Sequence, residues 1–163
     1  MQTLYLIGFM GSGKSTVGKL LHDKLGGLYL DTDEMVVEKY GEIANIFEQK
    51  GEKQFRDYET EMLRETAGEN FVVSTGGGII ERRENGKFMK SNGLVIYLDT
   101  SFDEIESRLG SDPTRPLWRK NDLEKQRLYQ RRNKLYSELA DITVVTDHKS
   151  PHIAVKGIIG QLQ

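Results

Sequence analysis

The run Leu4-Tyr5-Leu6-Ile7 leads directly into Gly8-Phe9-Met10-Gly11-Ser12-Gly13-Lys14-Ser15-Thr16, and from Ser15 the pattern turns helical, with Val17, Leu20 and Leu21 on one side. A short strand with no charged face belongs in a sheet that is covered on both sides. Because the strand feeds a helix through a tight turn, the next strand comes back to the sheet as a parallel crossover. Gly26-Gly27 stops the helix, and Leu28-Tyr29-Leu30 reads as that second strand.

The rest of the chain repeats the alternation. Residues 34–40, 43–50 and 52–67 read as helices punctuated by Gly41 and Gly51. Phe71-Val72-Val73-Ser74 is a third strand ending at Gly76-Gly77-Gly78, and a charged helix over about 81–91 leads to a fourth strand over 94–98. A helix over 103–109, a loop with Pro113 and Pro116, a long helix over 122–139, a fifth strand over 142–145 and a helix after Pro151 follow. The pattern predicts a three-layer α/β/α fold around a five-stranded parallel sheet, and 163 residues suffice for one domain with one sizeable core. Ligands of such sheets bind beyond the carboxyl ends of the strands. Gly8 to Ser15, Asp31 to Asp33 and Gly76 to Gly78 each follow a strand, so one crevice can collect them.

Composition narrows the partners. Lys plus Arg is 23 and Asp plus Glu is 25, a net charge of −2, so no basic excess draws nucleic acid or anionic lipid. The absence of Cys excludes a disulfide scaffold, a thiolate zinc site and a cysteine nucleophile, and fits a reducing cytoplasm. The longest apolar run, residues 94–98, is far below the roughly 20 residues that span a bilayer. His22, His148 and His152 show no metal-ligand spacing. A small-molecule partner is expected, with no nucleic acid and no membrane; a cytoplasmic monomer is the default state.

The glycine-rich segment satisfies G-x-x-x-x-G-K-[ST] in its required setting of strand before and helix after. Backbone N–H groups at Gly11, Ser12, Gly13, Lys14, Ser15 and Thr16 can wrap a polyphosphate, and the helix N-terminus adds partial positive charge. Lys14 can reach the β- and γ-phosphates, and the Ser15 hydroxyl suits Mg²⁺. A GTPase would normally add an Asn-Lys-x-Asp base reader, whereas Asn133-Lys134 runs into Leu135-Tyr136.

Beyond this loop, Asp31-Thr32-Asp33, Phe55-Arg56-Asp57-Tyr58-Glu59, Gly76-Gly77-Gly78, Arg115-Pro116-Leu117 and Arg132-Asn133-Lys134-Leu135-Tyr136 occur in that order. The ordered series resembles the shikimate kinase family, small P-loop kinases related in fold to the nucleoside monophosphate kinases, nearly end to end. The resemblance implies one kinase domain over 1–163, with an acceptor-binding helical region over about 33–61 and a lid over about 111–121. One departure is visible: Lys134 stands where many members carry proline. Lysine is the better helix former, so Arg132 should keep its place.

Asp31 and Asp33 flank one residue at a strand end, so an extended chain points both to one side. The resemblance makes Asp33 the base that contacts the acceptor hydroxyl, and Asp31 a holder of the Mg²⁺ shell through water. The residues alone leave Asp33 equally open as a helix cap, and Asp99, after the longer apolar run, as a rival metal carboxylate. In the helix over 122–139, Leu128, Arg132, Leu135, Tyr136 and Leu139 form one stripe. Arg131 instead falls with Arg127, Lys134 and Glu138 on a charged stripe, so exchanging it should alter ligand affinity little. A guanidinium on an apolar face needs an anionic partner, an internal carboxylate or a ligand.

The resemblance gives Arg132 the shikimate carboxylate. Arg56, with Glu59 one turn on, reads alone as a surface ion pair, and only the resemblance turns it into a second clamp on that carboxylate. Gly76, Gly77 and Gly78 could be a flexible turn or a backbone wall; the family sets the substrate against them, Gly77 foremost. Arg108, otherwise a helix C-terminal cation, matches a position that stacks on adenine, with residues 148–151 bordering the base. Arg115, on the lid, would reach the transferring phosphate. The implied activity is ATP- and Mg²⁺-dependent phosphorylation of the 3-hydroxyl of shikimate, in aromatic amino-acid biosynthesis, with Asp33, Lys14 and Arg115 as the catalytic set. A related kinase for gluconate or a nucleoside monophosphate is the alternative, and a nucleotide-dependent switch a rival of another class. Arg56 and Arg132 together with Asp33 weigh against a switch, which needs no acceptor clamp.

Overall fold

The computed structural model contains five strands, β1 (Thr3–Ile7), β2 (Leu28–Asp31), β3 (Phe71–Ser74), β4 (Gly93–Asp99) and β5 (Ile142–Val145). They form one sheet in the order β2-β3-β1-β4-β5, and every pairing is parallel. The structure describes residues 1–109 and 122–163. Arg115 and the lid expected over about 111–121 lie outside them.

β1 is buried along its whole length, and its side chains alternate between two cores as strand geometry dictates. Leu4 and Leu6 join Val72, Ile96 and Leu98 against Val17 and Leu21 of α1 (Lys14–Leu25) and Ala154, Val155 and Ile158 of α8 (Pro151–Leu162). Tyr5 and Ile7 point the other way, with Val73, Val95 and Tyr97, onto Met89 of α5 (Arg83–Asn92) and Tyr136 of α7 (Asp122–Leu139). Ile105 and Leu109 of α6 (Phe102–Leu109) close the same side.

Three further helices follow β2: α2 (Thr32–Tyr40), α3 (Ile43–Lys50) and α4 (Glu52–Arg64). They enclose a small core of Val36, Ile46, Phe55 and Met62, beside which Tyr40 and Tyr58 stack with ring centroids 3.6 Å apart. The helix expected over 52–67 ends at Arg64, because Thr66 turns its hydroxyl back to the Leu63 carbonyl at 2.6 Å and meets the Tyr5 hydroxyl at 2.9 Å. Such a side-chain bond competes with the helical ladder. The glycines after β3 enter a 3₁₀ turn, Gly77–Glu81, and the helix expected over about 81–91 begins two residues later, at Arg83, and ends at Asn92.

The chain leaves β1 toward β2 on one side of the sheet and leaves β3 toward β4 on the other. The two directions diverge at the carboxyl end of β1, where a parallel sheet opens its crevice. Among the described residues no helix is long and apolar enough to cross a membrane.

Candidate active site

The loop from Gly8 closes on itself: the Ser12 N–H donates to the Phe9 carbonyl at 3.1 Å, and Lys14 Nζ donates to the carbonyls of Gly8 at 2.5 Å and Phe9 at 3.1 Å. Gly13 precedes α1 with φ +92°, a left-handed conformation that a side chain would strain, and no side chain caps the helix. The first-turn N–H groups of α1 are thereby left for an anion. They face a cavity of about 580 Å³ lined by residues 10–17, Asp31, Asp33 and residues 74–77, with Glu104, Arg108, Thr146 and residues 149–151 at its other end.

Asp31 ties the loop to the helices beyond β2. One oxygen accepts from the N–H groups of Asp33 at 2.9 Å and Glu34 at 3.2 Å, capping α2, and the other accepts from the Ser15 hydroxyl at 3.0 Å. The cap of α2 is therefore Asp31, and Asp33 sits in the first helical turn, its side chain on the cavity wall. A hydroxyl and a carboxylate 3.0 Å apart are hard oxygen donors, the kind that Mg²⁺ takes one or two of beside phosphates and water. Asp99 does not line the cavity; it accepts from the Tyr97 hydroxyl at 3.4 Å.

The turn after β3 gathers the remaining groups. The Gly76 N–H donates to the Thr32 hydroxyl at 3.2 Å, fastening this turn to α2. A Cβ placed on Gly76 would lie 2.6 Å from Asp33 Oδ1 and 3.0 Å from Glu59 Oε2, one on Gly78 would collide with the Arg56 guanidinium, and one on Gly77 would lie 3.6 Å from Arg132 Nη1. Asp33, Arg56, Glu59 and Arg132 thus surround one glycine turn, although Arg56, Gly78 and Arg132 stand beyond the lining of the cavity itself. The Tyr136 hydroxyl donates to the Gly77 carbonyl at 2.5 Å, and burial pushes its pKa up, so it remains a donor.

Arg56 does pair with Glu59, at 3.0 Å, but not on the surface as an isolated reading suggests: Glu59 is 1% exposed. Burial, opposed by the Arg56 charge, pushes the Glu59 carboxyl up to about 7. Its Oε2 is buried with no hydrogen-bond partner, as are Ser12 Oγ and Arg132 Nε. Arg132 is buried, as its apolar stripe predicts, and Glu81 Oε2 lies 3.6 Å from its Nη2. Arg131 is exposed, as its stripe predicts, yet it is not merely solvated, because its guanidinium pairs with the same Glu81 oxygen. Glu81 carried no sequence signal, since it meets both arginines only when the 3₁₀ turn packs on α7. Tyr136 could have been flagged as a hydroxyl on an apolar stripe that needs an acceptor.

At the opposite end Arg108 is more than a helix-terminal cation. It donates to the Gly11 carbonyl at 3.0 Å, to Glu104 at 3.3 Å and to the Thr146 carbonyl at 3.5 Å, bracing the loop against β5. Of the stretch expected to border a base, Lys149, Ser150 and Pro151 line the cavity and His148 does not.

The sequence model of the shikimate kinase family matches residues 10–163. A shikimate kinase of Persephonella marina is 46% identical over 165 residues, covering 100% of both chains. The solved structure of shikimate kinase from Acinetobacter baumannii in complex with shikimate superposes with a TM-score of 0.92 at 36% identity, covering 99% of this chain and 93% of that one. A gluconokinase from Sinorhizobium meliloti shares only the fold, with a TM-score of 0.66 at 15% identity over 99% of this chain and 91% of that one. Matched by the family model over all but its first nine residues and by a relative along its whole length, this chain belongs to the shikimate kinase family.

Proposed function

We propose that this protein transfers the γ-phosphoryl group of ATP to the 3-hydroxyl of shikimate, giving shikimate 3-phosphate and ADP. The observation that carries the reading is the placement of Asp33 between the phosphate loop and a glycine turn flanked by Arg56 and Arg132. Two guanidiniums and backbone N–H groups suit a carboxylate, and an adjacent acid suits a hydroxyl on the same small ring.

In the reaction the acceptor oxygen forms a bond to the γ-phosphorus as the bond from that phosphorus to the β–γ bridging oxygen breaks. Asp33 takes the hydroxyl proton. Lys14 and the N–H groups at the start of α1 neutralise charge on the phosphates, and Arg115 from the lid does so on the transferring group. Ser15, directly, and Asp31, through water, would hold Mg²⁺, which when bound supplies further charge neutralisation on the β- and γ-phosphates. Arg108 and residues 149–151 border the adenine. Arg56, Glu59, the glycine turn and Arg132 orient the acceptor, so α2 to α4 act as the acceptor-binding region and 111–121 as the lid.

The lack of Cys supports a reducing cytoplasm. The test is a coupled ADP-release assay with MgATP and, separately, shikimate, gluconate, AMP or CMP. Shikimate should be turned over far faster than the others, and equal turnover of any other acceptor overturns the assignment.

A further inference from the structure

We propose that Arg131 is a positioning residue for the acceptor: by neutralising Glu81 it leaves the charge of Arg132 available to the substrate carboxylate. This rests on the reading of Arg132 as a carboxylate ligand and goes beyond it, and it replaces the expectation, drawn from the charged stripe alone, that exchanging Arg131 alters ligand affinity little, because Arg131 pairs with the Glu81 oxygen that also faces Arg132.

Both arginines approach one atom. Arg131 Nη2 is in direct contact with Glu81 Oε2, whereas Arg132 Nη2 stands 3.6 Å from that oxygen, outside hydrogen-bond range. The three side chains differ in exposure, 60% for Arg131, 23% for Glu81 and 8% for Arg132. Arg132 Nε is buried with no hydrogen-bond partner, and Nη1 faces the Gly77 backbone. Glu81 is thus held by the exposed arginine, and the buried one keeps N–H groups directed at the acceptor turn.

Charge arithmetic gives the consequence. Arg131, Glu81 and Arg132 sum to +1. Without Arg131 the sum is zero, and Glu81, three-quarters buried beside a guanidinium, closes onto Arg132, because a buried charge needs a partner. A carboxylate already seated on Arg132 competes with the incoming carboxylate of the substrate. With both Arg131 and Glu81 neutralised the sum returns to +1 and the competitor is gone.

The experiment is a double-mutant cycle on shikimate KM, with kcat, the KM for ATP and the circular-dichroism spectrum measured in parallel. Arg131→Gln should raise shikimate KM roughly three- to tenfold, in the lower part of the range of coupling within one ion-pair network. It should leave ATP KM and kcat within about twofold. Glu81→Gln should leave shikimate KM unchanged or lower it, and Arg131→Gln/Glu81→Gln should return it to that level. A KM unmoved by Arg131→Gln overturns the proposal. So does a rise that persists in the double variant, which would make Arg131 a simple source of long-range charge. Arg132→Ala separates the two layers: if it raises KM while Arg131→Gln does not, only this inference falls, and if it leaves KM unchanged the acceptor reading fails as well.

Discussion

Replacing Glu59 with glutamine should flatten part of the pH dependence of folding stability. Glu59 is 1% exposed, accepts from Arg56 at 3.0 Å through Oε1 and has no hydrogen bond on Oε2. Burial, partly offset by Arg56 and Arg132 and reinforced by Asp33, raises its carboxyl from the ordinary 4.5 to about 7. Between those values the folded protein binds a proton that the unfolded chain does not. Stability from this group is therefore fully present below about 4.5 and is lost as pH rises through about 7. At about 1.4 kcal/mol per pH unit the full effect is roughly 3 kcal/mol, of which about 2 kcal/mol falls between about pH 5.5 and about pH 8. Glutamine keeps an oxygen for Arg56 and a shape like that of the protonated acid, but does not titrate. Urea denaturation of both proteins at those two pH values, followed by far-ultraviolet circular dichroism, should show the variant gaining about 2 kcal/mol relative to the parent on going to the higher pH. Parallel pH profiles would refute the argument, and would mean that water or local movement relieves the burial of this carboxylate.

Arg132→Ala should weaken shikimate affinity by roughly 2–3 kcal/mol, some 30- to 150-fold, with little change for ATP, as measured by equilibrium titration. Gly78→Ala should leave the fold intact, because the atoms it displaces are the far end of the Arg56 side chain, yet raise shikimate KM about tenfold or more as that guanidinium leaves Glu59. Asp31→Asn should retain the cap on α2, since Asn caps as well as Asp, and change stability by less than about 0.5 kcal/mol. In the same variant the Mg²⁺ concentration for half-maximal activity should rise about tenfold; an unchanged Mg²⁺ titration would remove Asp31 from the metal shell.

The sheet, the phosphate loop and the burial of Arg132 were legible in the sequence because each is encoded within a short contiguous stretch. β1 and the loop are adjacent, so the apolar run, the glycines and the Lys-Ser pair report one local geometry. The stripe through Leu128, Arg132 and Tyr136 repeats at helical spacing, so an arginine inside it declares an anionic neighbour without saying which. The neighbour was settled only by packing: Glu81 reaches Arg131 and Arg132 from a turn 50 residues away in the chain. Tertiary structure likewise put Asp31, rather than Asp99, beside Ser15, by pairing β2 with β3 and not with β4. Cap and first-turn roles of Asp31 and Asp33 depend on where strand gives way to helix, a boundary that spacing of carboxylates alone does not locate. The Glu59 and Arg56 pair reads as a surface bridge until α4 is seen packed on α2 and the glycine turn. Helical spacing specifies which side chains share a face, but the charge state and chemistry of a face depend on what covers it, and that is decided by long-range contacts.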